Sequence, residues 1–173
     1  MKHLRCVLPL LALAIVPAFA SAQSDAQKSF DSLKSLAGTW EGTITSFPAT
    51  PEVQGKHVQV TLRVTSVGNA LLHEMHVQGR PDDPITMLYL DNGHLMLTHY
   101  CDAGNRPRMT ARTSVDGKTV EFEFVDVAGG TEYGHMHHAV FTLADSYHHS
   151  EDWTFMSPGE KPVQAHFDLH RTN

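Results

Sequence analysis

Cysteine is nearly absent from this chain, with only Cys6 and Cys101 among 173 residues. Cys6 falls in an N-terminal apolar run that is expected to be removed, so Cys101 has no partner within the chain and a disulfide framework is excluded. A lone Cys101 reads first as a buried, inert thiol, with an interchain link or a reactive thiol as the other states. Long hydrophobic runs are also missing. The longest, Val7 to Phe19, is about 13 residues, short of the roughly 18 to 20 that cross a bilayer. Lys2 and Arg5 precede it and Ala20-Ser21-Ala22 follows it, the pattern of a secretory signal cleaved after Ala22. Residues 1–22 are therefore expected to direct residues 23–173, read as one domain, to a secreted or periplasmic location.

Positive charge is scarce as well. With Lys2 and Arg5 gone, 11 Lys+Arg face 19 Asp+Glu, a formal charge of −8. Such a balance excludes a basic nucleic-acid footprint and disfavours anionic membrane surfaces. No HExxH, no paired CxxC and no Gly-x-Ser-x-Gly elbow occurs, which removes the motifs of zincins, zinc ribbons and α/β-hydrolases.

What the chain has is histidine, thirteen in all and twelve after residue 22, together with a regular period-two pattern. One helical stretch comes first: Phe30, Leu33, Leu36 and Ala37 recur at helical spacing between Ser24 and Ala37, and Gly38 stops it. After it the alternation predicts ten strands, Thr39–Ser46, Lys56–Ser66, Ala70–Val77, Ile85–Leu90, His94–Cys101, Arg108–Val115, Thr119–Val127, His138–Ala144, His148–Met156 and Pro162–Arg171. Gly68-Asn69, Asp91-Asn92-Gly93, Asp116-Gly117 and Ser157-Pro158-Gly159 supply hairpin turns between them. No helical pattern separates the strands, so a parallel sheet is excluded and an antiparallel meander follows. Ten such strands leave two bare edges unless the first and last pair, so the expected fold is all-β, a closed barrel with one short N-terminal helix. A barrel of that size leaves room for one small ligand. Phe47 to Gly55 and the glycine-rich stretch Ala128 to His137 read as long loops, the former a lid over one end.

Alternation assigns faces without saying which points inward. Leu71, His73, Met75 and Val77 share one face of the third strand, and Leu95, Leu97, His99 and Cys101 one face of the fifth. His149, Glu151, Trp153 and Phe155 share one face of the ninth, an unlikely solvent face but a plausible cavity wall where burial moves pKa values. Tyr100 to Pro107 concentrates donors and acceptors at an expected rim, Asn105 among them. His135 and His137, at i and i+2, could hold a divalent metal with His99 or Glu151.

Leu36-Ala37-Gly38-Thr39-Trp40-Glu41-Gly42 resembles the start of the calycin barrels, in whose lipocalin members the Trp of Gly-x-Trp closes one barrel end. The fuller Gly-x-Trp-x-Gly is similar to the nitrobindin branch, ten-stranded barrels that hold haem on a histidine near the C-terminus. That resemblance implies His166, in His166-Phe167-Asp168-Leu169-His170-Arg171, as an axial ligand. Thr98 to Pro107 departs from the branch and looks like a group of uncharacterised secreted bacterial barrel proteins.

Three functions follow as expectations. The first is a binding barrel that takes a small, partly apolar ligand, or haem, with His99, Tyr100, Asn105, His135, His137, Glu151 and Trp153 around it. The second is an enzyme pairing His99 or His137 with Glu151 as acid and base. The third is a structural envelope protein whose lumen is filled with apolar side chains.

Overall fold

The computed structural model describes residues 24–114 and 117–172. Residues 1–22, the expected signal, lie outside them. Helix α1 (Asp25–Lys34) starts where the Ser24 hydroxyl accepts a hydrogen bond from the Gln27 amide at 3.2 Å, and it buries Phe30 and Leu33. It is shorter than the expected 24–37. Among the described residues no helix is long and apolar enough to cross a membrane.

Ten strands follow: β1 (Gly38–Phe47), β2 (His57–Thr65), β3 (Ala70–Val77), β4 (Ile85–Asp91), β5 (His94–Tyr100), β6 (Arg106–Thr113), β7 (Thr119–Ala128), β8 (His135–Leu143), β9 (His148–Ser157) and β10 (Lys161–Arg171). Each pairs antiparallel with its neighbours in sequence, and β1 pairs with β10 from Trp40 opposite Arg171 to Phe47 opposite Gln164, closing the barrel. Closure satisfies both edges, as the strand count required.

Two strand starts differ from expectation by more than one residue, each for an identifiable reason. Strand β6 begins at Arg106 and tolerates Pro107 because that residue lies opposite Val127 of β7, beyond the three residue pairs β6 makes with β5. Strand β8 begins at His135, not His138, because a register irregularity between Met136 and His138 breaks the alternation that located it.

The helix end of the barrel is plugged. Trp40 is fully buried, and its indole Nε1 donates to the Leu36 carbonyl at 2.8 Å. The Arg171 guanidinium lies 4.2 Å over the indole ring. Its three nitrogens donate to the carbonyls of Ser146 (2.8 Å), Ala37 (2.8 Å) and Ser35 (3.1 Å), tying the last strand to the helix exit. The motif glycines gain a physical reason here. A Cβ on Gly42 would overlap the Asp168 carbonyl of β10, and one on Gly38 would press on the Arg171 guanidinium. Replacing Arg171 with Ala removes a cation–π contact and three charge-assisted hydrogen bonds, two of them exposed, and should cost about 2 kcal/mol. Denaturant titration reads this directly, and a loss under about 0.5 kcal/mol would show the plug to be passive.

Candidate functional site

Strand β9 climbs from the plugged end toward the other mouth, so His149, Glu151, Trp153, Phe155 and Ser157 form a rising inward column. The first three are buried, Glu151 completely. The Glu151 carboxylate accepts from three donors: His149 Nε2 at 3.0 Å, Trp153 Nε1 at 2.9 Å, and His73 Nε2 at 3.0 Å to the nearer oxygen. His73 reaches it from β3, which faces β9 across the lumen. Aromatic rings enclose the group: His149 stands edge-on to Trp40 with centroids 4.2 Å apart, and His73 edge-on to Phe141 at 6.0 Å. Burial works to raise the Glu151 pKa, but the His73 charge and the hydrogen bonds from His149 and His73 outweigh it and hold the carboxylate ionised. Nδ1 of His73 and of His149 are buried without partners among the described residues, so both histidines direct their one satisfied nitrogen at the carboxylate.

A second imidazole sits above this network. His73, Thr86 and His99 are successive cross-strand partners on β3, β4 and β5 and form one inward row. Nδ1 of His99 lies 2.8 Å from the Thr86 hydroxyl, and its ring packs at 5.5 Å on Trp153. Burial, then the charge of His73, lower its pKa to about 4 against a weaker pull from Asp102, so the ring is neutral at pH 7. Its Nε2 has no protein partner among the described residues.

His99 and Trp153 form the floor of a cavity of about 320 Å³ that opens at the end opposite the plug. The walls are chiefly apolar, including Ile44, Met75, Val77, Phe155, Ala165 and Phe167. Thr50, Glu52 and Val53 of the expected lid stand at the mouth, as do Arg80 and Asp102, which form an ion pair. Cys101 lies there too, half-buried, its thiol pKa raised by burial, so it stays protonated and poorly nucleophilic.

Of the residues singled out from sequence, His99, Glu151 and Trp153 converge in the lumen. The others do not. Tyr100 is exposed on the outer wall. The buried Asn105 donates both amide hydrogens to the carbonyls of Gly130 (2.9 Å) and Gly134 (2.7 Å), so it fastens the glycine loop to the rim and has no donor left for a ligand. His135 and His137 bond each other at 3.0 Å and pack on Phe124, without His99 or Glu151. Burial and the neighbouring His137 lower the His135 pKa. The expected metal set is therefore not assembled; among the described residues the one group of three potential donors is Glu121, Glu123 and His138, and it lies outside the lumen. His166 is half-exposed on the outer face, 2.7 Å from Asp152, and cannot serve as an axial ligand to a group in the cavity. Nor does Glu151 pair with His99 or His137; its partners are His149, which the sequence places beside it on the face read as a cavity wall, and His73, which along with Thr86 is not among the expected ligand contacts. Alternation puts His73 and His149 on the correct faces; the aromatics beside His149 mark its face as inward, whereas nothing local marks that of His73.

Comparison with known proteins adds the fold. No family model matches the chain, and no curated protein matches it. Among solved structures the barrel is similar to Rv2717c from M. tuberculosis, with TM-score 0.61 and 15% identity over 84% of this chain and 98% of that one. It is also similar to a protein of unknown function from the DUF3598 family of Nostoc punctiforme PCC 73102, with TM-score 0.55 and 10% identity over 81% of this chain and 49% of that one. At such identities the likeness is one of fold.

Proposed function

We propose that this chain is a small-molecule binding protein, its ligand a partly apolar compound seated in the open cavity with its polar atom on His99. One observation carries the reading: a neutral, buried imidazole with a free ring nitrogen stands at the floor of an apolar cavity. Pockets that bind ligands combine such walls with a few placed polar groups. The cavity of about 320 Å³ lies at the small end of the range for ligand pockets, which sets the ligand's size. Haem, with about forty non-hydrogen atoms, exceeds that room unless the mouth loops part; His99, not His166, would then face it. The binding reading is preferred to an enzyme because neither His99 nor His137 bonds Glu151, whose imidazole partners are His73 and His149, and to an envelope protein because a cavity stands above them. The reading keeps the calycin-like kinship and the secreted or periplasmic setting expected from residues 1–22.

The test uses the neutral fluorophore N-phenyl-1-naphthylamine. Its emission should rise on mixing with the protein. Ala165→Phe, which fills the cavity from β10, should abolish the rise, and His166→Ala should leave it unchanged. Equal binding by wild type and Ala165→Phe would place the probe elsewhere and defeat the reading.

A further inference from the structure

The hydrogen-bond inventory of the inward row goes further than the presence of a cavity. Thr86 is fully buried, and its hydroxyl hydrogen needs an acceptor. Among the described residues the hydroxyl has one side-chain partner, His99 Nδ1 at 2.8 Å. The other imidazole in the row offers no alternative, because Nδ1 of His73 has no partner. If His99 carried its proton on Nδ1, that N–H would donate to the Thr86 oxygen and leave the hydroxyl hydrogen buried and unpaired. An orphaned buried donor costs more than an unused lone pair on oxygen. The hydroxyl therefore donates to Nδ1, and the proton of the neutral ring sits on Nε2, which meets the cavity.

We infer that His99 presents an N–H donor to the ligand, with Thr86 as the positioning residue that fixes its tautomer, and that the cavity selects uncharged carbonyl compounds over hydrogen-bond donors of the same shape. This rests on the cavity being the binding site. The charges at the mouth agree with an uncharged ligand. Arg80 is already neutralised by Asp102, and Glu52 beside them leaves no positive field to draw an anion. The apolar walls admit the body of a ketone, aldehyde, ester or quinone, and among the described residues the only group at the floor with unspent capacity is a donor.

Three bicyclic probes of nearly equal size separate the ideas: 1-indanone accepts a hydrogen bond, indole donates one and indene does neither. Displacement of N-phenyl-1-naphthylamine gives their affinities. Indanone should bind about five- to tenfold more tightly than indene, the gain of one hydrogen bond, and indole no more tightly than indene. Thr86→Val should leave indene unchanged while the preference for indanone over indole falls toward unity, since either tautomer is then open to the ring. The ¹⁵N spectrum of His99 in the free protein should show a protonated Nε2 and an unprotonated Nδ1. If indene and indanone bind equally, if indole is preferred, or if Nδ1 carries the proton, the inference fails and the cavity reading stands. If none of the three displaces the fluorophore from wild type, the cavity reading fails with it.

Discussion

Glu151→Gln is expected to remove about 3 to 5 kcal/mol of stability, the range for breaking a buried ion pair by changing one partner. The amide keeps one acceptor oxygen, but its NH₂ group then faces N–H groups of His73, His149 and Trp153 that had converged on a carboxylate. Some of these donors lose their acceptor in a place water does not reach. Urea unfolding at pH 7 measures the loss, and a change under about 1 kcal/mol would show that the three contacts are incidental. Exchanging His73, His149 and Glu151 together for apolar residues of similar volume, with Trp153→Phe to remove the indole N–H that also donates to Glu151, should recover much of it, because no orphaned polar group then remains. The network is thus expensive to damage and inexpensive to replace.

Acid should weaken the barrel well before general denaturation. Burial holds His99 neutral down to about pH 4, whereas in the unfolded chain it takes up a proton near pH 6.5. Between those values the unfolded state binds more protons, so stability falls as pH falls; below about 4 both states are protonated and this contribution ends. The shift is equivalent to about 3 kcal/mol across the window. Glu151 acts in the same direction lower down. Its carboxylate stays ionised in the fold, so the stability it lends is present above pH 4.5 and is lost as pH drops through its depressed native value. Unfolding midpoints from pH 7.5 to 4 should show the slope, and His99→Gln should flatten it between 6.5 and 4.5. An unchanged slope in that variant would assign the acid sensitivity to other groups.

Sequence alternation carried most of the fold because each strand's pattern is local, and ten such patterns with short turns leave closure as the way to satisfy both edges. The site was less legible. His73 and Glu151 are 78 positions apart and meet only because β3 and β9 face each other across the closed barrel. On β10, Phe167 and Leu169 are buried, and the strict alternation of a strand then sends His166 outward. Parity along that strand is a better guide than the resemblance to the nitrobindin branch, which implies His166. His135 and His137 show the opposite case, where an irregularity in β8 made parity itself unreliable.

The Arg171 plug bears on when the barrel can form. Its guanidinium grips the Ala37 carbonyl across 134 positions, and β1 has no partner on one side until β10 arrives. A chain emerging residue by residue therefore carries the open edge of β1 uncovered while β2 to β9 are made, and the seam shuts only after Arg171 is free to fold back. Loss of Arg171 would strike the closing step, so a chaperone that shields the β1 edge has its greatest effect before β10 appears.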